Sequence, residues 1–338
     1  MDMHAVVIHE PGGPEVLHYE SMPVPEPGIG EVRVRMRAAG LNHRDIWVRT
    51  GTSGPFTGPV IPGSDGAGEI DAAGPGVFGI ETGKKVVILP GMSCGRCEAC
   101  LSGQQPACLQ YRIFDGTYAE YVVVPQQNVA PMPSGLTFTE AASIGIPFLT
   151  AEECLKRAQA LPGQTLFLWG ATGGLGVAIL QLAKLRGVRV IAATRSAARA
   201  DKLKQLHADD VLVWDGTRDV TGEVLNLTGQ RGVDVVVDSL GQLTFAQSLA
   251  MARRGGVVVT VGGTTGTTMQ CDLAQIFRRR LTILGAFMGQ SGILPRLLPL
   301  FARGVLLPVI DHTYPLEQAD QAHEQLQRGV FGKIVLEL

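Results

Sequence analysis

The sequence has no excess of charge of either sign: 29 Lys and Arg residues stand against 31 Asp and Glu residues, a net charge of −2. Such a balance gives no sign of a surface built for nucleic acid or acidic substrates. Long hydrophobic runs are also missing, because Gly, Pro or charge interrupts each apolar stretch short of the roughly 20 residues that span a bilayer. The start, "MDMHAVVIHEPGG", reads as a strand and lacks a signal-peptide pattern. We therefore expect a cytoplasmic protein without nucleic-acid or membrane partners.

The chain has two regions with different patterns. At 338 residues and 45% hydrophobic content it has room for two domains. Residues 1–130 read as β-rich, since stretches such as "TYAEYVVVP" alternate or run apolar between turns. From about residue 136 buried strands alternate with helices, which is typical of a parallel doubly wound sheet. We predict an α/β protein with a β-rich domain at 1–130, a doubly wound domain at 131–285 and a C-terminal segment at 286–338 whose last strand rejoins the first domain.

A glycine-rich loop, "GATGGLG", lies between a predicted strand and a predicted helix. Glycines let a pyrophosphate approach the backbone, and the helix N-terminus offers unpaired N–H groups. An ordinary tight turn is the alternative, but the strand before and the helix after favour a dinucleotide site. Its candidate residues are Gly170, Ala171, Thr172, Gly173, Gly174, Leu175 and Gly176.

The end of the next predicted strand bears on which dinucleotide binds. NAD-binding units usually place an acid there to hold the ribose 2′-hydroxyl. Here Thr194, Arg195 and Ser196 stand in its place, and Arg199 follows one helical turn later. Two guanidiniums and a hydroxyl can hold a 2′-phosphate, so we expect NADP(H). The alternative is that both arginines are solvated surface residues.

Four of the six cysteines lie within fifteen positions, spaced C-x2-C-x2-C-x7-C in a predicted lobe at residues 91–108. Four thiolates this close can bind one zinc tetrahedrally with no open position, as in a structural site. An iron–sulfur cluster is the alternative, although the last gap is wider than in the bacterial pattern and the trailing proline is absent. Cys154 and Cys271 are predicted to be small core residues. The predicted zinc ligands are Cys94, Cys97, Cys100 and Cys108.

The combination of these features resembles the medium-chain dehydrogenase/reductase superfamily over essentially the whole chain. The resemblance implies a GroES-like catalytic domain, a Rossmann domain, an active-site cleft between them, and a dimer or tetramer. It rests on the cysteine lobe and on the stretches "GGPEVL", "PVPEPGIGEVRVRMRAAGLNHRD", "PGSDGAGEI", "GTYAEYVVVP", "GATGGLG" and "GKIVLEL".

Alcohol dehydrogenases of this superfamily also bind a catalytic zinc through Cys, His and Cys, and the sequence departs from them at each ligand. Asn42 stands for the first cysteine, Ser64 for the histidine, and no cysteine occurs near Ile146. Because these three residues do not make a zinc site, we expect one structural zinc per subunit and no catalytic one. The stretch "GLNHRDIW" is similar to the quinone oxidoreductase branch, whose members use NADPH to reduce quinones, enones or enoyl thioesters.

The resemblance also implies roles for individual side chains. Asn42 is the expected hydrogen-bond donor to the substrate oxygen, and His43 with Asp45 could relay a proton. The alternatives are that Asp45 holds the loop by accepting backbone N–H bonds and that His43 is solvated. Trp47 stands where such reductases often have Tyr, Thr150 is expected by the nicotinamide, and Lys333 could reach the phosphates. A structural role is the alternative for both Thr150 and Lys333. The remaining candidates are Ser64 and Asp65 for catalysis, and Ser239, Gly262, Ala286 and Phe287 for cofactor binding.

Three functional interpretations follow. The first is an NADPH-dependent reductase of quinones or α,β-unsaturated carbonyls without catalytic zinc. The second is an alcohol dehydrogenase that recruits metal through residues such as His43 and Asp65, or works without metal. The third is a non-catalytic NADPH-binding sensor.

The apolar strand at 281–289 predicts a homodimer, with a tetramer as an alternative, because an unpaired edge of that kind favours association.

Overall fold

The computed structural model describes all 338 residues, Met1–Leu338. The chain divides into two compact units, one formed by residues 1–149 together with 289–338 and the other by residues 150–288. No helix in the structure combines the length and the apolar character that crossing a membrane would need.

The helices and strands follow in chain order. The first stretch contains β1 (Asp2–Val7), β2 (His18–Pro23), β3 (Glu31–Gly40), α1 (His43–Arg49), β4 (Asp65–Ala73), β5 (Lys85–Ile88), β6 (Gly91–Met92), α2 (Glu98–Leu101), β7 (Arg112–Ile113), β8 (Tyr121–Pro125), β9 (Val129–Pro131), α3 (Phe138–Ala142) and α4 (Gly145–Arg157). The middle stretch contains β10 (Thr165–Leu168), α5 (Gly174–Leu185), β11 (Arg189–Thr194), α6 (Ala197–Gln205), β12 (Asp210–Val213), α7 (Thr221–Leu227), β13 (Val233–Asp238), α8 (Phe245–Met251), β14 (Ala252–Thr260), α9 (Leu273–Arg279) and β15 (Thr282–Gly285). The last stretch contains α10 (Leu294–Ala302), β16 (Ile310–Pro315), α11 (Ala319–Arg328) and β17 (Lys333–Glu337).

The first unit is built on a seven-stranded sheet with the order β16-β17-β3-β4-β5-β9, in which β8 also pairs with β3. Along β3, Val32, Val34 and Met36 are buried and the arginines between them are more exposed. This period-two alternation places one face of the strand in the core. The last strand, β17, pairs antiparallel with β3, and Val335 lies opposite Gly40. The register therefore brings the beginning of β17 beside the loop that follows β3.

The second unit is a six-stranded sheet with the order β12-β11-β10-β13-β14-β15, and every neighbouring pair is parallel. Strands β10 and β13 are buried along their whole length, as expected for strands covered on both faces. The chain runs outward from β10 in one direction and returns to its other side at β13. That reversal is the topological switch point of a Rossmann fold, so the predicted fold class is confirmed.

The two cysteines outside the lobe differ in burial. Cys154 on α4 is fully buried, as predicted, and burial raises the pKa of its thiol. The prediction for Cys271 is wrong, because its side chain is exposed. It lies in the loop immediately before α9, where no strand or helix forms around it.

Candidate active site

The four clustered cysteines converge in the segment between β6 and β7, which contains α2. Their sulfur atoms all lie within 4.8 Å of one another, and the Sγ distances are 3.8 Å for Cys94–Cys100 and 3.6 Å for Cys97–Cys100. A tetrahedral zinc with Zn–S bonds of about 2.3 Å holds its sulfur atoms about 3.8 Å apart. The thiols therefore fit one zinc ion, whereas the cysteines of an iron–sulfur cluster bind different iron atoms and stand further apart.

The local backbone favours the thiolate form of Cys94, one of these four cysteines. Backbone N–H groups of Arg96 and Cys97 lower the pKa of the Cys94 thiol to about 6, so a thiolate is available near neutral pH. Gly95 and Gly103 take positive φ angles of 71° and 73° where the loop turns. Four thiolates fill a tetrahedral zinc, which leaves no position for a substrate. The reaction must therefore be sought elsewhere in the chain.

The glycine loop has the close backbone packing that a dinucleotide site needs. Gly170 follows β10 with a φ of +65°, and α5 begins at Gly174. A Cβ atom on Gly176 would lie 2.3 Å from the carbonyl oxygen of Gly170, and one on Gly170 would lie 2.7 Å from Ser239 Oγ. The loop can pass this closely only because these positions lack side chains, and the helix N-terminus that it opens is free for phosphate. The residues of this loop therefore fit the pyrophosphate of a dinucleotide.

The end of β11 lies beside this loop, because β11 pairs with β10. Thr194 is buried, and its Oγ1 accepts the N–H of Ser196 at 3.2 Å, so its hydroxyl shapes the turn. Arg195 is exposed and its guanidinium forms no ion pair, while Arg199 lies in the first turn of α6. The structure thus presents two arginines and no acid at this strand end.

The other predicted cofactor residues follow the neighbouring strands of the same sheet. Ser239 comes after β13, Gly262 after β14, and Ala286 and Phe287 after β15. The carboxyl ends of parallel strands meet at one edge of the sheet, which is where ligands of this fold bind. A Cβ atom on Gly262 would lie 2.9 Å from the carbonyl oxygen of Ser239, so that loop is packed as tightly as the glycine loop. Thr150, on α4, is buried with its Oγ1 4.0 Å from the sulfur of Met288.

A buried polar cluster in the first unit joins three predicted residues, Asn42, Asp65 and Lys333. The Lys333 ammonium donates to Asn42 Oδ1 at 2.7 Å and to Asp65 Oδ2 at 3.1 Å. The Asn42 amide nitrogen donates to Asp65 Oδ2 at 2.9 Å, and the backbone N–H of Ile146 donates to Asp65 Oδ1 at 2.7 Å. The Lys333 and Asp65 side chains are 5% and 0% exposed. The register of β17 against β3 sets the position of Lys333. The backbone N–H of Leu41 donates to the carbonyl of Ile334, which brings Lys333 against Asn42.

Asp45 holds the loop that carries Asn42. It is the third residue of α1, and its Oδ2 accepts the backbone N–H of Asn42 at 2.8 Å and the hydroxyl of Tyr118 at 3.0 Å. Its Oδ1 is buried without a hydrogen-bond partner, and burial raises the pKa of this carboxyl to about 6. The alternative in which Asp45 binds backbone N–H is thus the arrangement that the structure shows.

His43 and Trp47 lie one turn apart on α1 and both are partly buried. Their rings meet edge to face with centroids 5.3 Å apart, and burial lowers the pKa of His43. His43 forms no hydrogen bond to Asp45, so the structure does not join the two residues of the predicted proton relay.

Ser64 is held by an ion pair that sequence reasoning missed. Arg44 Nη1 donates to Ser64 Oγ at 3.0 Å, and Arg44 Nη2 donates to Asp115 Oδ2 at 2.7 Å. Arg44 directly follows the predicted residue His43, but nothing in the sequence couples it to Asp115, 71 positions away.

Tyr118 and His323 form a second missed group behind Asp45. Arg49 Nη1 lies 3.2 Å from His323 Nδ1, and His323 Nε2 lies 3.4 Å from the Tyr118 hydroxyl. Because a guanidinium can only donate, Nδ1 accepts and Nε2 carries the proton. Burial, reinforced by Arg49, lowers the pKa of His323 to about 3, so the imidazole is neutral. Tyr118 lies in the stretch "GTYAEYVVVP", which is part of the family resemblance. That resemblance was the one feature of the sequence that pointed to Tyr118.

Known proteins resemble the chain along its whole length. Family models described as "Alcohol dehydrogenase GroES-like domain" and "Zinc-binding dehydrogenase" match residues 28–134 and 174–303. Alcohol dehydrogenase 1 of Emericella nidulans and quinone oxidoreductase of Rattus norvegicus are each 30% identical, over 99% of this chain and 97% of their own. The chain belongs to the medium-chain dehydrogenase/reductase superfamily. A solved structure described as an NAD-dependent alcohol dehydrogenase is 44% identical, with a TM-score of 0.95 over 99% of this chain and 100% of its own.

The chain is therefore an oxidoreductase of this superfamily, and its polar cluster can be compared with a catalytic zinc site. The three positions predicted to have lost the zinc ligands are bound to other groups: Asn42 to Lys333, Ser64 to Arg44, and Ile146 through its backbone to Asp65. Both oxygens of Asp65 already accept hydrogen bonds. An amide, a hydroxyl and an isoleucine side chain do not match the Cys, His and Cys ligands of that zinc, and the neighbouring Asp65 carboxylate is already paired with the Lys333 ammonium, so the residues present do not fit that metal.

Proposed function

We propose that this medium-chain dehydrogenase/reductase uses NADPH to reduce quinones or α,β-unsaturated carbonyls, including enones and enoyl thioesters, without catalytic zinc. The observation that carries the proposal is the buried cluster of Asn42, Asp65 and Lys333. The family resemblance sets Asn42 in the position of a metal ligand, and in this chain Asn42 contacts an ammonium that is paired with a carboxylate. A fixed cation of this kind suits a substrate oxygen that becomes negative during the reaction.

The chemistry divides between the dinucleotide and the protein. When bound, the reduced dinucleotide supplies a hydride to the β-carbon of the enone, and one proton from solvent at the α-carbon completes reduction of the C=C bond. The chain's own residues orient the carbonyl and stabilise the negative charge that develops on its oxygen. Hydrogen-bond donors held in a buried place lose little energy to reorganisation, so they stabilise that charge more than water does.

NADPH oxidation measured with a panel of quinones, enones and enoyl thioesters tests this function. We expect turnover with at least one class and none when the C=C bond is absent from the substrate. Turnover of simple alcohols or ketones, with none of the panel reduced, would instead support the alcohol dehydrogenase interpretation. That interpretation is the second candidate because of the 44% identical structure described as an NAD-dependent alcohol dehydrogenase.

The preference for NADPH rests on the two arginines at the end of β11. We expect Arg195→Ala to raise the apparent KM for NADPH about tenfold or more while the KM for NADH changes little, because only NADPH has a 2′-phosphate for the guanidinium to bind. The measurement is steady-state kinetics with both cofactors. An equal change for both would show that Arg195 does not read the phosphate, and Arg186→Ala, at the far end of α5, serves as the control.

We further propose that the protein forms a homodimer through β15. This strand is at the edge of the second unit's sheet, and Ile283 on it is 38% exposed. An apolar edge strand left open invites pairing with a second copy. Light scattering coupled to size exclusion is expected to give the mass of a dimer, and the mass of a monomer, 35.9 kDa, would refute the proposal.

A further inference from the structure

The hydrogen bonds of Asn42 change which residue can act on the substrate. A side-chain amide has two N–H groups and one carbonyl oxygen. In Asn42 the nitrogen donates to Asp65 Oδ2 at 2.9 Å and, over a longer distance of 3.4 Å, to the Gly40 carbonyl. Its oxygen accepts from Lys333 at 2.7 Å. The amide predicted to donate to the substrate therefore has both of its N–H groups engaged within the protein.

Lys333 has a donor left over. An ammonium carries three N–H groups, and in the structure two of them are taken, by Asn42 Oδ1 at 2.7 Å and Asp65 Oδ2 at 3.1 Å. The third N–H has no partner in the protein. The Lys333 side chain is 5% exposed, so it is largely removed from water.

The protein holds this ammonium in place from three directions. Lys333 is the first residue of β17, whose pairing with β3 fixes its backbone. Asp65 is anchored on its other side by the backbone N–H of Ile146, and Asn42 is anchored by Asp45. A cation fixed by such contacts before the substrate arrives needs no rearrangement when charge develops next to it.

We propose that Lys333 is a catalytic residue of this enzyme and that its third N–H binds the carbonyl oxygen of the substrate. The inference rests on the proposed function and assigns the oxyanion contact to Lys333 in place of Asn42. As hydride from reduced dinucleotide adds to the β-carbon, the π electrons of the C=C bond move to form an enolate, whose oxygen accepts the ammonium hydrogen bond. A solvent proton then adds to the α-carbon and restores the carbonyl, leaving oxidised dinucleotide.

The test removes the cation without leaving a carboxylate unpaired in the interior. The variant is the double substitution Lys333→Met with Asp65→Asn, and Lys84→Met, whose side chain is 65% exposed, is the matched control. For each protein we would measure kcat and KM with the substrate that the wild type reduces, the Kd for NADPH by fluorescence, and the melting curve. We expect the double variant to fold, to bind NADPH within about threefold of the wild type, and to lose about 100-fold or more in kcat.

Other outcomes overturn the proposal. A kcat within tenfold of the wild type would show that the ammonium is structural. A normal kcat with a weakened Kd for NADPH would place Lys333 at the cofactor phosphates, as the family resemblance first suggested. A wild type silent across the substrate panel would overturn the proposed function and this role together, whereas an active wild type with an unaffected variant would overturn this role alone.

Should the double variant fail to fold, two single substitutions decide the question. Lys333→Arg keeps the charge, and Lys333→Gln keeps hydrogen-bond donors without it. We expect the Arg variant to retain at least about tenfold more kcat than the Gln variant, because the charge and not only the hydrogen bond stabilises the enolate. Equal kcat values in the two variants would contradict a role for the cation.

Discussion

Replacing Asp65 by alanine is expected to lower the free energy of unfolding by about 3–5 kcal/mol, because the change leaves the Lys333 ammonium buried without its counter-ion. Two further donors, the Asn42 amide and the Ile146 backbone N–H, lose their acceptor at the same time. For a domain of this size the loss corresponds to a fall of about 10 °C or more in the melting temperature. Calorimetry or denaturant unfolding of the Asp65→Ala protein measures it.

The same strand offers a matched control. Asp71 also lies on β4 and also forms an ion pair, with Arg33 at 2.6 Å, but its side chain is 30% exposed. Solvent screens such pairs, so Asp71→Ala is expected to cost no more than about 1 kcal/mol. Equal losses of unfolding free energy in the two variants would contradict the view that the Asp65–Lys333 ion pair is buried and stabilises the fold.

Gly176→Val is expected to weaken NADPH binding about 100-fold, because a displaced loop would lose backbone N–H bonds to the phosphates, and a hydrogen bond to a charged group contributes about 1.5–3 kcal/mol. The new Cβ atom would lie 2.3 Å from the Gly170 carbonyl oxygen and 2.6 Å from two backbone atoms of Ala171. Because every one of these atoms is backbone, the loop itself must move and its phosphate cradle is lost. Fluorescence titration of NADPH gives the Kd.

Gly222→Ala serves as the control for this substitution. Gly222 is exposed on α7 of the same unit, and a Cβ atom there would meet nothing within 4 Å. The control is expected to bind NADPH like the wild type and to be slightly more stable, since alanine favours a helix over glycine by up to about 1 kcal/mol. A Gly176→Val protein that folds and binds NADPH normally would contradict the assignment of this loop as the dinucleotide site.

Much of the fold could be predicted because it depends on patterns that are local in sequence. The alternation of Val32, Val34 and Met36 marks a half-buried strand, and the position of Gly170, Gly173 and Gly176 between a predicted strand and a predicted helix favours a phosphate loop over an ordinary tight turn. The cysteine spacing similarly predicts a metal site, with zinc favoured over an iron–sulfur cluster. In each case the residues that cooperate are close along the chain.

The chemistry of the site depends instead on contacts between distant segments. Lys333 is 268 positions from Asp65 and 291 from Asn42, and only the register of β17 on β3 brings it to them. The family resemblance implied that Asn42 stands in the position of a metal ligand, but the sequence did not indicate that its amide nitrogen would donate to Asp65. Likewise the sequence predicted that Asp45 either relays a proton with His43 or accepts backbone N–H bonds, but it did not indicate the contact of Asp45 with Tyr118 or, beyond that, with His323.

The zinc content of fully active enzyme tests the central claim most directly. Elemental analysis of metal-replete protein, purified without chelator and assayed in the same preparation, is expected to give one zinc per subunit, bound by Cys94, Cys97, Cys100 and Cys108. The four thiols converge on a single ion, and the cluster of Asn42, Asp65 and Lys333 already contains a cation of its own. Two zinc ions per active subunit would contradict the proposal that the enzyme works without catalytic zinc, because the second ion would have to occupy the place of the Lys333 ammonium.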